Sequence, residues 1–152
     1  MDSKNAVPVI GWQYLWTYAG GLNIIEELLD ITIIIFMAFS GYSIKANIFT
    51  FVVALASIYT IIFTALHIRG VIRRSRLPWY WIECIAVLII AVAIVGVSSL
   101  VMMDFTRGYV ITGIMGYVTA GVYFIDTFER YKVAITPAPK YAWTVPNMPD
   151  LE

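Results

Sequence analysis

Cysteine is almost missing from this chain: Cys84 is the single thiol in 152 residues. One thiol closes no intrachain bridge, which excludes a disulfide framework. Histidine is equally scarce, with His67 alone. One His and one Cys supply neither a nucleophile with its base and orienting group nor a metal cluster, so no enzyme activity and no cofactor are expected. Charge is short as well, at 13% of residues, with ten basic and ten acidic side chains and a net charge of zero. Without a broad basic face, a nucleic-acid partner is excluded. The polar start, Met1 to Asn5, is not followed by a clean apolar core with a small-residue cleavage site. A cleaved signal peptide is therefore not expected, and the first membrane helix serves as the insertion signal.

Apolar residues fill the space that charge leaves. They make up 61% of the chain, and mean hydropathy is +0.81. A soluble domain is nearer half apolar and a quarter charged, so an integral membrane protein is expected. Apolar runs at about Leu22–Ser40, Ile48–Ile68, Trp79–Met103 and Tyr109–Phe128 each hold roughly 18 to 25 residues. At about 1.5 Å per residue each crosses a hydrocarbon layer of about 30 Å. The expected fold is an all-α membrane protein, a four-transmembrane-helix bundle with both termini cytoplasmic. Its layout is an interfacial aromatic segment over 1–21, the helical domain over 22–132, and a proline-containing cytoplasmic tail over 133–152. The outer loops, Gly41 to Asn47 and about Asp104 to Gly108, are too short for an ectodomain.

Orientation follows from the loop between the second and third runs, where Arg69, Arg73, Arg74 and Arg76 precede Trp79, Tyr80 and Trp81. Basic clusters stay cytoplasmic, and aromatic belts mark the interface. With both termini inside, Lys4, Arg69, Arg73, Arg74, Arg76, Arg130, Lys132 and Lys140 share one side, against Lys45 and Arg107 on the other: eight to two. Trp12, Tyr14, Trp16 and Tyr18 read as a lead-in lying on the headgroups, with a ligand site as the alternative.

Six ionisable residues lie inside or at the rim of the apolar runs: Glu26, Glu27, Asp30, His67, Glu83 and Asp126. Aligned by topology, all six fall toward the cytoplasmic end. Two readings follow. They form a proton or cation path, or an inner-leaflet polar layer that pairs with Arg69, Arg73, Arg130 or Lys132, with Arg69 and Arg73 nearest Glu83 and Asp126. The opposite half of each run has no ionisable stepping stone, which favours the structural layer. Thr112, Gly116 and Ala120 recur every fourth residue, as a seat for neighbouring helices or as a homodimer face. Cys84 is either a packing thiol or a candidate for lipidation.

Several stretches carry a resemblance. Gly21, Leu22, Ile25, Glu26 and Leu29 lead into the first run, Trp79 to Glu83 open the third, and GYVTAGVYFIDTFERYK (Gly116 to Lys132) closes the fourth. Together with two short outer loops, they resemble the MARVEL-domain family, which includes MAL, plasmolipin and the chemokine-like-factor proteins. The resemblance implies a non-enzymatic tetraspan organiser of lipid domains, vesicle trafficking, membrane apposition or cell junctions. Its implied partners are membrane lipids and other membrane proteins or further copies of itself. An accessory subunit of a larger channel, transporter or other membrane complex is the alternative.

Overall fold

A computed structural model describes residues 11–41, 43–70, 78–104 and 107–135. These residues form a short 3-10 helix, Gly11–Trp16, followed by helices α1 (Tyr18–Phe39), α2 (Ile44–Ile68), α3 (Trp79–Met102) and α4 (Arg107–Ile135). Helices α2, α3 and α4 are long and apolar enough to cross a membrane, which marks a membrane-embedded protein. Helix α1 has 22 residues, but Glu26, Glu27 and Asp30 interrupt its apolar run, and it is not among those three.

Three helix ends depart by four residues or more from the limits that hydropathy suggests, and one is the start of α2, at Ile44 inside the expected outer loop Gly41 to Asn47 rather than at Ile48. Helix α1 starts at Tyr18 rather than Leu22, because Thr17 caps it: its backbone is extended and its hydroxyl accepts from the Gly20 N–H at 3.1 Å. Helix α4 continues past Phe128 to Ile135. Hydropathy ends that run where charge begins, whereas the helix continues because Asp126 and Arg130 pair across one turn.

Helices α1 and α2 run antiparallel, with Asn23 meeting Thr64 and Glu27 meeting Ser57. The most extensive interface joins α3 to α4, and it closes over Gly116. A Cβ there would lie 2.1 Å from Ser98 Oγ and 3.1 Å from the Phe49 ring, so only glycine allows this approach. Thr112 and Ala120, on the same stripe, are also buried. The stripe therefore packs inside the bundle.

The interior is layered along the helix axes. One end is dry, built from Ile33, Met37, Phe49, Val53, Val97 and Val101. A middle layer of Ala56, Val87, Ala91, Ile94 and Ala120 meets Tyr123. The other end is polar. The outer surface is apolar on every helix, as at Leu28, Ile35, Phe51, Ile58, Ile89 and Val118. Helices with apolar residues all round suit a membrane, where inward packing needs no hydrophobic contrast between the two faces.

Candidate functional site

The polar end is organised by Arg130, which is 6% exposed. Its three nitrogen groups reach three helices. Nε donates to Asp126 Oδ2 at 2.5 Å on α4, Nη1 to Glu83 Oε2 at 2.5 Å on α3, and Nη2 to Asn23 Oδ1 at 2.9 Å on α1. A planar guanidinium with donors in a fixed fork suits this role, which the point charge of lysine would not fill. Helix α2 joins through Thr64, whose hydroxyl accepts from Asn23 Nδ2 at 3.0 Å. It joins again through His67, whose Nε2 lies 3.4 Å from Glu83 Oε1. His67 Nδ1 is 2.9 Å from the Phe63 carbonyl. A carbonyl only accepts, so Nδ1 carries the hydrogen and Nε2 faces the carboxylate.

The 3-10 helix closes this end. The Tyr14 ring stacks on His67, centroids 4.6 Å apart and 14° from parallel, and its hydroxyl accepts from Asn23 Nδ2 at 3.3 Å. Burial pushes the Tyr14 pKa up to about 12, so the hydroxyl stays neutral. Gly20 makes the contact possible: a Cβ there would lie 2.1 Å from the Tyr14 carbonyl oxygen.

A second tier lies one turn deeper. The Tyr123 hydroxyl donates to Asp30 Oδ2 at 2.7 Å. Its single proton is thereby engaged, so Thr60, 3.2 Å away, is the donor in their contact. Ser57 donates to Glu27 Oε1 at 2.6 Å. Glu26 is buried, and its Oε1 meets no donor among the described residues. Beyond this tier the buried hydroxyls turn back on their own helices: Ser98 donates to Ile94 at 2.6 Å, Thr112 to Gly108 at 2.8 Å and Thr119 to Met115 at 3.0 Å. The ionisable layer stops there.

Of the residues singled out in the sequence, Glu26, Asp30, Glu83 and Asp126 come together in the core, with His67 at the edge and Glu27 on the α1/α2 flank. Arg69 does not join them. It is exposed at the end of α2 with no ion pair among the described residues, and Arg130 holds Glu83 and Asp126 in its place. The reason is the continuation of α4, which keeps Arg130 in helical register one turn after Asp126. Lys132 pairs with Glu129 on the surface. Arg73, Arg74 and Arg76 lie outside the described residues. The Cys84 thiol is buried and points at the Thr127 carbonyl, 3.7 Å away. At the opposite end Lys45 pairs with Asp104 across the helix termini.

Asn23, Tyr14 and Tyr123 hold the site together although the sequence reading gave them no such part. A signal for two of them exists. Asn23, Glu26 and Asp30 follow an i, i+3, i+7 pattern, and so do Tyr123, Asp126 and Arg130. Each set places its polar groups on one helix face.

The arrangement is suited to clamping four helices. No group of three His, Cys, Asp or Glu side chains among the described residues could hold a metal ion. Tyr123→Phe tests the second tier. It leaves the buried Asp30 carboxylate without its donor, an expected loss of about 1–2 kcal/mol, read as a lower melting temperature in detergent. An unchanged melting temperature would show that the Asp30 contact carries no stability. Compared with family models, curated proteins and solved structures, the chain matches none.

Proposed function

We propose that this chain is a non-enzymatic, MARVEL-like membrane organiser with four spans and both termini cytoplasmic. It acts through lateral contacts with lipids, with other membrane proteins or with its own copies, in vesicle trafficking, lipid domains or membrane apposition. One observation carries the reading: all four helices contribute buried polar side chains to one inward hydrogen-bonded set, while their outward faces carry large apolar residues. Such a surface is built for lateral contact.

Helix α1 counts as the fourth span on the same ground. Glu26 and Asp30 are buried, Glu27 bonds to Ser57, and Ile24, Ile25, Leu28, Ile31, Ile35 and Phe36 face outward. Glu26 and Asp30 therefore do not face lipid, Ser57 holds Glu27 Oε1, and 22 residues extend about 33 Å. The excess of basic residues at the Arg130 end supports placing that end in the cytoplasm.

The accessory-subunit reading is favoured by Gly21, Gly96 and Gly121. Each faces open space outside the bundle, where a neighbouring helix could approach closely. Purification in mild detergent with mass measurement separates the two readings. An assembly of this chain with lipid supports the organiser, and a fixed complex with a larger protein supports the subunit. Tagging at native expression level should place the protein in vesicles, junctions or a membrane subdomain. A uniform membrane distribution with no stable self-association would sink the organiser reading.

A further inference from the structure

A groove of about 380 Å³ runs between α1 and α2 and is flanked by the 3-10 helix at the Ile68 end of α2. Its walls are Trp12, Leu15, Ile24, Leu28, Ile61 and Ile68. Asn23, Glu27, Thr60 and Thr64 also border it; Asn23, Thr60 and Thr64 bond within the bundle, Ser57 holds Glu27 Oε1, and Glu27 Oε2 is buried without a hydrogen-bond partner among the described residues. The groove therefore presents carbon to its occupant. Along α2 it is lined by Thr60, Ile61, Thr64, Ala65 and Ile68, a stripe about 12 Å long. That is most of one leaflet, half of a hydrocarbon core of about 30 Å.

A basic residue follows the last lining residue of α2. The α2 stripe follows i, i+1, i+4, i+5 spacing, and the next position on it is Arg69, directly after Ile68. Arg69 is still in helical conformation, with φ −76° and ψ −7°. It is exposed and has no ion pair among the described residues. Trp12, which lines the groove together with Ile68, is 75% exposed. An apolar slot most of a leaflet long, with an exposed arginine one residue beyond it and an exposed tryptophan in its wall, matches an amphiphile with an anionic head.

We propose that the α1/α2 groove is a binding site for an anionic phospholipid, with one acyl chain in the slot and the phosphate on Arg69. The inference rests on the membrane reading above. It adds a defined lipid contact to a protein whose helices carry apolar outward faces, as at Ile35, Phe51, Ile89 and Val118. A zwitterionic lipid fills the slot equally well but brings its own ammonium beside Arg69, so the anionic lipid is preferred.

The test uses the full chain purified in mild detergent, stripped of lipid, and titrated with equal amounts of phosphatidylserine and phosphatidylcholine in native mass spectrometry. The expected result is one retained phosphatidylserine per chain, in preference to phosphatidylcholine. Arg69→Gln should weaken phosphatidylserine retention about fivefold and leave phosphatidylcholine unchanged. Ala65→Trp fills the slot from an exposed position and should abolish retention of both. Circular dichroism confirms that both variants keep their helices. Equal retention of the two lipids by the unmodified chain overturns the proposal, as does unchanged phosphatidylserine binding in Arg69→Gln or a second polypeptide in the groove. Alkaline extraction of native membranes separates the two failures. A chain released by it fails the membrane reading, whereas a chain that stays embedded and binds no phosphatidylserine fails only this inference.

Discussion

Arg130→Gln should destabilise the bundle by about 3–5 kcal/mol, the usual cost of removing one partner from a buried charge pair. Arg130 is the single buried cation among the described residues, and its nitrogens hold Glu83, Asp126 and Asn23 at 2.5, 2.5 and 2.9 Å. Glutamine cannot span the three helices, and it leaves two carboxylates in a dry interior with no countercharge. The loss should appear as a large fall in melting temperature in detergent. A companion variant separates charge from packing. Arg130→Met combined with Glu83→Gln and Asp126→Asn removes the charges together, and should recover much of the loss, since replacing a whole buried ionic set is often close to neutral. If Arg130→Gln melts within a degree or two of the unmodified protein, the arginine is not the clamp described here.

Gly116→Leu should cost at least about 3 kcal/mol, at the top of the range for overpacking a filled interior. The first added carbon would already lie 2.1 Å from Ser98 Oγ and 3.1 Å from Phe49. Neither neighbour yields easily. Ser98 is fully buried and bonded to the Ile94 carbonyl at 2.6 Å, and Phe49 is fully buried in the dry end of the core. Helices α3 and α4 must therefore separate along their most extensive contact. Gly121→Leu is the matched control, because a side chain there meets open space. It should leave the melting temperature nearly unchanged. Equal effects of the two substitutions would show that the Gly116 contact is not tight.

The two substitutions also separate what can be seen in a sequence from what cannot. Gly116 and Gly121 are alike in composition and flanked by similar apolar residues, yet one lies against Phe49 and the other outside the bundle. Arg130 reads in sequence as one more cytoplasmic positive charge. Its burial depends on α4 running to Ile135 and on α3 and α1 presenting Glu83 and Asn23 at matching height. Tyr14 is one aromatic among several near the N-terminus, and only its stacking on His67 sets it apart from exposed Trp12 and Trp16.

By itself, the sequence determined the helical class, the apolar runs and the gathering of Glu26, Asp30, Glu83 and Asp126 toward one end. These depend on run length and on spacing within a single helix, which are local properties of the chain. The tertiary structure alone decided which cation meets those acids, which glycine lies at a helix crossing, and where a groove opens between α1 and α2. Each of these depends on the rotation and relative height of helices distant in sequence. The outward faces are as apolar as much of the core, so hydropathy carries no mark of which side of a helix turns inward.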